Sequence, residues 1–382
     1  MKVLSEKVAA IASSATMDVA DQAKKMIREG IDIISLSIGE PDFDTPQHIK
    51  EACIAALQRG EIHYAPSGGI PELIQAIIEK CKRDNGIVCH PEEVIATCGA
   101  KHAIYQGMEA TINSGDEVVI IDPAWVSYEP CVQMAGGKVR HYPLNTTTFQ
   151  LDDTLSDKIT QKTKMIVVNS PSNPTGTVFN SSSMRLVADL CEDYDLIAMS
   201  DEIYEKLVYG KVHQSLACIG DMGHRTITIN GFSKAYAMTG WRLGYAIGPR
   251  EIIRQMVKVQ QHGVSHPTTF VMWGGVAALT GDQSCVESMR SEFDRRRRYL
   301  LNELRIMGFE MAPADGAFYA FIRVPGDDIE VARSWLLNAH VAVTPGNAFY
   351  SPTWIRISYA TALPKLEEAL QRIRTQKEFL PS

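Results

Sequence analysis

Six short apolar runs, at residues 94–96, 117–121, 165–168, 196–199, 226–229 and 243–247, are separated by stretches that can hold a helix, such as residues 184–193. That alternation constrains the fold more than any other feature of the chain. Runs bounded by turn residues and lacking the polar alternation of a half-exposed strand read as strands buried on both faces. Buried strands alternating with helices imply an α/β architecture, a mainly parallel sheet sandwiched by helices. From about Gln283 the rhythm changes to long amphipathic helices and shorter strands, such as residues 317–322. A chain of 382 residues exceeds what one hydrophobic core usually organises. The expected division is a large domain over residues 46–285 and a smaller α+β domain built from residues 1–45 together with 286–382.

Composition removes several function classes. A net charge of −7 and a pI near 5.8 provide no basic face for nucleic acid or anionic lipid. The eight cysteines are widely spread with no zinc spacing, so they read as buried, reduced thiols, and no metal is expected. The apolar run at residues 8–12 is too brief for a signal-peptide core, and the expectation is a cytoplasmic protein. Residues 263–281 lack Asp, Glu, Lys and Arg, yet His266, Pro267 and several Thr and Gly argue against a membrane span. The run Arg295 to Arg298 sits among Glu292, Asp294 and Glu303 and reads as a solvated helix face.

No dinucleotide-binding, P-loop or zincin motif is present, so the chemistry must come from another constellation. In open α/β sheets ligands bind beyond the carboxyl ends of the strands, so the polar residues that follow the apolar runs are the candidates. They are Gly99, Ala100 and Lys101 after the first run, Trp125 after the second, Asn173 after the third, Asp201 and Tyr204 after the fourth, and Ser233 and Lys234 after the fifth. Taken singly each has an ordinary reading: a strand-to-helix turn, a core aromatic, a helix cap, a surface lysine. Their placement at successive strand ends of one sheet is what singles them out.

These residues stand in segments that resemble the class I pyridoxal-phosphate-dependent aminotransferases of the aspartate aminotransferase superfamily, within fold type I. The segments are Gly39 to Pro46, His63 to Pro66, Gly69 to Leu73, Asn169 to Gly176, Ser200 to Tyr204, Ser233 to Ala235, Met238 to Gly244, Gly316 to Tyr319 and Arg356 to Ala360, in the family order over nearly the whole chain. The chain is most similar to the prokaryotic aspartate aminotransferase branch. The resemblance implies a seven-stranded large-domain sheet and pyridoxal 5'-phosphate as cofactor, held by Lys234 as a Schiff base.

By the same resemblance, Lys234 also shuttles the substrate α-proton, Asp201 faces the pyridine nitrogen, and Tyr204 and Asn173 donate to the phenolic oxygen. Trp125 stacks on the ring. Ser233, Arg242 and the backbone of Gly99, Ala100 and Lys101 hold the phosphate, joined by Tyr64 from the second subunit of a homodimer. Arg356 clamps the substrate carboxylate, with Gly39 and Asn173 assisting, and Lys101 together with the region of Ser14 and Thr16 reads a distal carboxylate. His262 and His266 read as packed or solvated residues. The implied reaction moves the amino group of an L-amino acid, with aspartate favoured, to 2-oxoglutarate by a ping-pong cycle. An aromatic or broad-specificity aminotransferase is the alternative, followed by a β-lyase of the same fold and a non-catalytic cofactor-sensing regulator.

Overall fold

The computed structural model of the chain describes residues 4–9, 11, 15–376 and 379–381. Its strands are, in chain order, β1 (Ile34–Ser35), β2 (Val94–Thr97), β3 (Glu117–Asp122), β4 (Lys138–Pro143), β5 (Thr163–Asn169), β6 (Ile197–Asp201), β7 (Thr226–Gly231), β8 (Gly244–Ile247), β9 (Tyr319–Arg323), β10 (Val341–Ala342), β11 (Thr344–Pro345) and β12 (Trp354–Ser358). Seven of them form one sheet in the order β2-β8-β7-β6-β5-β3-β4. Neighbours from β7 to β4 run parallel, and β8 alone runs antiparallel to both of its neighbours. The mainly parallel seven-stranded sheet expected from the sequence is present.

The strand period of two explains why the runs are apolar without interruption. Val118, Ile120, Met165, Val167 and Met199 pack on one face with the helices Ala100–Thr111 and Arg250–Gly263. Val119, Ile121, Ile166, Val168 and Ala198 pack on the other with the helix Ser181–Asp193. Both faces are therefore dry, and each fully buried Val, Ile or Met contributes about 1.5–3 kcal/mol.

Four details depart from the sequence reading. Strand β4 carries no apolar run because it is the sheet edge: Lys138 is exposed, and Val139, Arg140 and His141 are only half-buried. The strand expected at residues 317–322 begins at Tyr319, because Ala317 holds φ +56°, incompatible with an extended ladder. The run of arginines is solvated only at Arg295 and Arg298. Arg296 is buried, its guanidinium 2.7 Å from Asp42 and 2.8 Å from Glu292 and packed against Phe43 and Phe293, while Arg297 lies over the Tyr209 ring at 5.0 Å. Two carboxylates and an apolar sleeve make that burial tolerable. All eight cysteines are free, but Cys98 and Cys285 are only half-buried and Cys218 is exposed.

The uncharged stretch folds as the helix Thr269–Thr280 against the helices Gln47–Gln58 and Pro71–Lys80. Among the described residues no helix is long and apolar enough to cross a membrane. Outside the large sheet, β12 pairs antiparallel with β9 and β11, and β1 pairs parallel with β10 at Ile34↔Val341. The segment before Gly39 is thereby joined to the C-terminal part of the chain.

Candidate active site

Parallel strands put their carboxyl ends on one edge, and the antiparallel β8 brings its amino end to that same edge. Arg242, two residues before β8, therefore lands beside residues that follow β2, β3, β5, β6 and β7. Between this edge and the residues around Ser37, Tyr319 and Arg356 lies a cavity of about 400 Å³. Its charged walls are Lys101, Lys234, Arg242 and Arg356 against Glu40 and Asp201, so its field favours an anionic guest. The structure brings together Gly39, Ala100, Lys101, Trp125, Asn173, Asp201, Tyr204, Ser233, Lys234, Arg242 and Arg356 as lining residues, and Gly99 adjoins them through Arg242.

Lys234 Nζ donates to the Gly39 carbonyl at 2.6 Å and stands 5.8 Å from the Tyr204 ring and 5.6 Å from the Phe318 ring. Burial pulls its pKa down to about 8, with Arg356 and Arg242 acting the same way against the opposing pull of Glu40 and Asp201. Near neutrality an appreciable fraction of this amine is therefore unprotonated and nucleophilic. Asp201 is buried, and burial raises its carboxyl to about 6 despite hydrogen bonds from Tyr128 Oη at 2.6 Å and the Ile203 amide at 3.2 Å. A cation placed against that carboxylate would reverse the shift.

Arg356 is buried on β12 with no carboxylate partner among the described residues. Its Nη1 donates to Asn173 Oδ1 at 2.9 Å and its Nη2 to the Ser37 carbonyl at 2.6 Å, while Nε has no partner. Rings of Tyr319 and Phe349 sandwich it at 4.6 and 4.9 Å. A buried guanidinium held by neutral groups costs several kcal/mol, which is offset when an anion arrives. Asn173 is held in turn by its own amide, which donates to Asn169 Oδ1 at 2.8 Å, and Asn169 Nδ2 donates to the Asp201 carbonyl at 3.0 Å.

A second anion cradle lies at the helix Ala100–Thr111. Gly99 caps it at φ +84°, which favours glycine, and the first-turn amides of Ala100 and Lys101 have no acceptor within the helix. Arg242 sits against Gly99 closely enough that a Cβ there would stand 2.7 Å from its Nη2. Helix amides, a guanidinium and the Ser233 hydroxyl are the donor set a phosphomonoester requires. The residues thus fit pyridoxal phosphate at both ends: an amine of lowered pKa and a buried carboxylate for the ring, and a cradle for its phosphate.

Trp125 is half-buried, edge-on to Tyr128 at 5.3 Å, with Lys101 Nζ 4.9 Å above its ring. Burial lowers the Lys101 pKa, and Arg242 adds to the effect. Tyr64 is not in the cavity: it is 90 % exposed and edge-on to His266 at 5.7 Å. His266 is packed, accepting from the Ala65 amide at 3.2 Å, and His262 is exposed. Ser14 and the side chain of Thr16 lie outside the described residues. Sequence reasoning missed Tyr128, Tyr319, Glu40 and Thr239. Tyr128 lies three residues beyond Trp125 and Tyr319 inside a family-like segment, which were the available signals.

Comparison with known proteins converges on one description. The profile of the aminotransferase class I and II family matches residues 31–373. An aspartate aminotransferase of Pyrococcus abyssi is 46% identical over 353 residues, covering 90% of this chain and 91% of that protein. The solved structure of Thermus thermophilus aspartate aminotransferase with maleate superposes with a TM-score of 0.95 at 41% identity, over 98% of this chain and 100% of that one. An aromatic aminotransferase of Pyrococcus horikoshii matches at 43% identity with a TM-score of 0.89, over 93% and 99% of the two chains.

Proposed function

The chain belongs to the class I and II aminotransferases, and from that premise we propose that it moves the amino group of L-aspartate to 2-oxoglutarate in a ping-pong cycle, with pyridoxal 5'-phosphate held on Lys234. As a member of the family it is a pyridoxal-phosphate-dependent transaminase. The cofactor, when bound, supplies an electron sink and the carbonyl that carries nitrogen between the two half-reactions.

The protein's share is positioning and proton handling. With the cofactor present, Lys234 would hold it through its amine and, when free, would hold and return the substrate α-proton. Asp201 would hold the ring nitrogen, where its carboxylate would favour the protonated form. Tyr204 and Asn173 direct donors at the ring oxygen, and Trp125 fixes the ring plane. Ser233, Arg242 and the amides after Gly99 hold the phosphate, with Tyr64 of a second copy completing the cradle. That copy is supported by the 90 % exposure of Tyr64 beside the exposed Ile62. The same reading divides the chain into residues 46–285 and a small domain of 1–45 with 286–382, supported by the β1–β10 pairing.

The observation that carries the reading is Arg356, a buried guanidinium without a carboxylate partner among the described residues, facing the same cavity as Lys234. A substrate α-carboxylate would accept from this guanidinium, each charged hydrogen bond adding about 1.5–3 kcal/mol. Lys101, at the cavity wall and partly desolvated, offers a cation for the distal carboxylate of aspartate. An aromatic donor is the second reading, favoured by the match to the Pyrococcus horikoshii enzyme, and relative half-reaction rates with L-aspartate and L-phenylalanine decide between them.

The test is Lys234→Ala. The variant should bind pyridoxal phosphate without the visible absorbance of the lysine-bound form and should not turn over, and retention of both properties would remove the assignment.

A further inference from the structure

Tyr319 opens β9, and its hydroxyl lies 2.9 Å from the hydroxyl of Tyr204. Both phenols are buried, and burial raises both pKa values, so each keeps its proton. Two protonated hydroxyls in contact can share only one hydrogen between them, which leaves the other proton free to point elsewhere. The arrangement is asymmetric. The Arg356 guanidinium carbon stands 4.6 Å above the Tyr319 ring, and a cation on a phenol's face withdraws electron density and makes its O–H the better donor. Gly39 has no side chain where the Tyr319 hydroxyl sits, and a methyl group there would overlap it. The backbone that accepts from Lys234 is therefore shaped around this hydroxyl as well.

We propose that Tyr319 is a positioning residue: its hydroxyl donates to Tyr204 and turns the Tyr204 proton into the cavity, and the strength of that donation answers to whether a carboxylate occupies Arg356. The inference rests on the proposed function, in which Tyr204 donates to the cofactor's ring oxygen. With the clamp empty, Arg356 polarises Tyr319, Tyr204 donates strongly, and the ring oxygen's negative charge is stabilised. That holds down the basicity of the nitrogen shared by Lys234 and the cofactor. A carboxylate on Arg356 neutralises the cation, weakens both donations and raises that basicity, the direction needed for an incoming ammonium group to pass its proton to that nitrogen and become a neutral amine. The charged groups facing Lys234 are Glu40, Arg356, Arg242 and Asp201, and those facing the hydroxyl pair are Asp201 and Arg356. Asn173 provides a parallel contact between Arg356 and the cavity, so the hydroxyl pathway must be isolated by mutation.

The experiment is a pH titration of the bound cofactor's visible absorbance in the wild type, Tyr319→Phe, Tyr204→Phe and the double variant, each with and without saturating maleate as an amine-free dicarboxylate. Removing one hydroxyl leaves the Tyr319 ring under Arg356. Tyr319→Phe should lower the proton dissociation constant about three- to tenfold, the span of one hydrogen bond, and should shrink the shift that maleate causes. In the Tyr204→Phe background the same change should alter the constant by less than about twofold. Wild-type titration of Tyr319→Phe, or full additivity of the two substitutions, overturns the proposal. A Tyr319→Phe protein that fails to take up cofactor overturns it too, in favour of a purely structural hydroxyl. A wild type without visible absorbance would instead overturn the assignment of Lys234.

Discussion

Lys234 holds the largest burden of any residue in the cavity, because a buried amine depressed to about 8 resists the protonation that free lysine undergoes near 10.5. The linkage has a definite sign. The unfolded chain binds this proton up to the higher pKa and the folded chain only up to the lower, so the destabilisation is fully present below pH 8 and fades as pH rises toward 10.5. Lys234→Met retains the volume and removes the charge. The apo form of that variant should exceed wild type in stability by up to about 3 kcal/mol at pH 7, with the gain declining above pH 8, as read by urea unfolding across pH. A gain that grows with pH would contradict a depressed amine. Asp201 and Asn173 show the complementary pattern, since Tyr128 holds the first from behind and Asn169 the second, both through neutral groups. Such support keeps functional groups in place without consuming their charge.

Among the elements, the reversed strand β8 does most to assemble the site, because it returns the chain to the carboxyl edge and sets Arg242 against the cap of the helix Ala100–Thr111. Gly244, its first residue, packs so closely on the Ala100 amide that a Cβ would overlap it. Gly244→Ala should therefore push the cap away and weaken pyridoxal-phosphate binding about tenfold or more in an absorbance titration, with circular dichroism unchanged. Unaltered affinity would show that the cradle tolerates displacement. The same elements explain what the sequence reveals. Strands β2, β3, β5, β6, β7 and β8 are buried on both faces and announce themselves as apolar runs, whereas β4 is an edge whose Lys138, Arg140 and His141 hide it. Lys234, Asp201 and Asn173 were legible because they stand within five residues of the ends of such runs. Tyr319 and Tyr128 were not, since their roles depend on contacts to Tyr204 and Asp201 across 115 and 73 residues of chain. The burial of Arg296 was hidden likewise, because its partner Asp42 is 254 residues away.

For the molecule as a whole, two anion sites of different kinds face one lysine. One cradle is built of helix amides and Arg242 on the large sheet, and the other of Arg356 on β12 with its aromatic sleeve. The first suits a permanent phosphate and the second a carboxylate that comes and goes, which is the division of labour a ping-pong transaminase needs. The half-reaction tests this most directly. Holoenzyme mixed with L-aspartate and no keto acid should convert its cofactor to the aminated form with one oxaloacetate released per protomer, and 2-oxoglutarate should then restore the original spectrum. Many equivalents of keto acid released without an acceptor, or no amination of the cofactor by aspartate, would contradict the account.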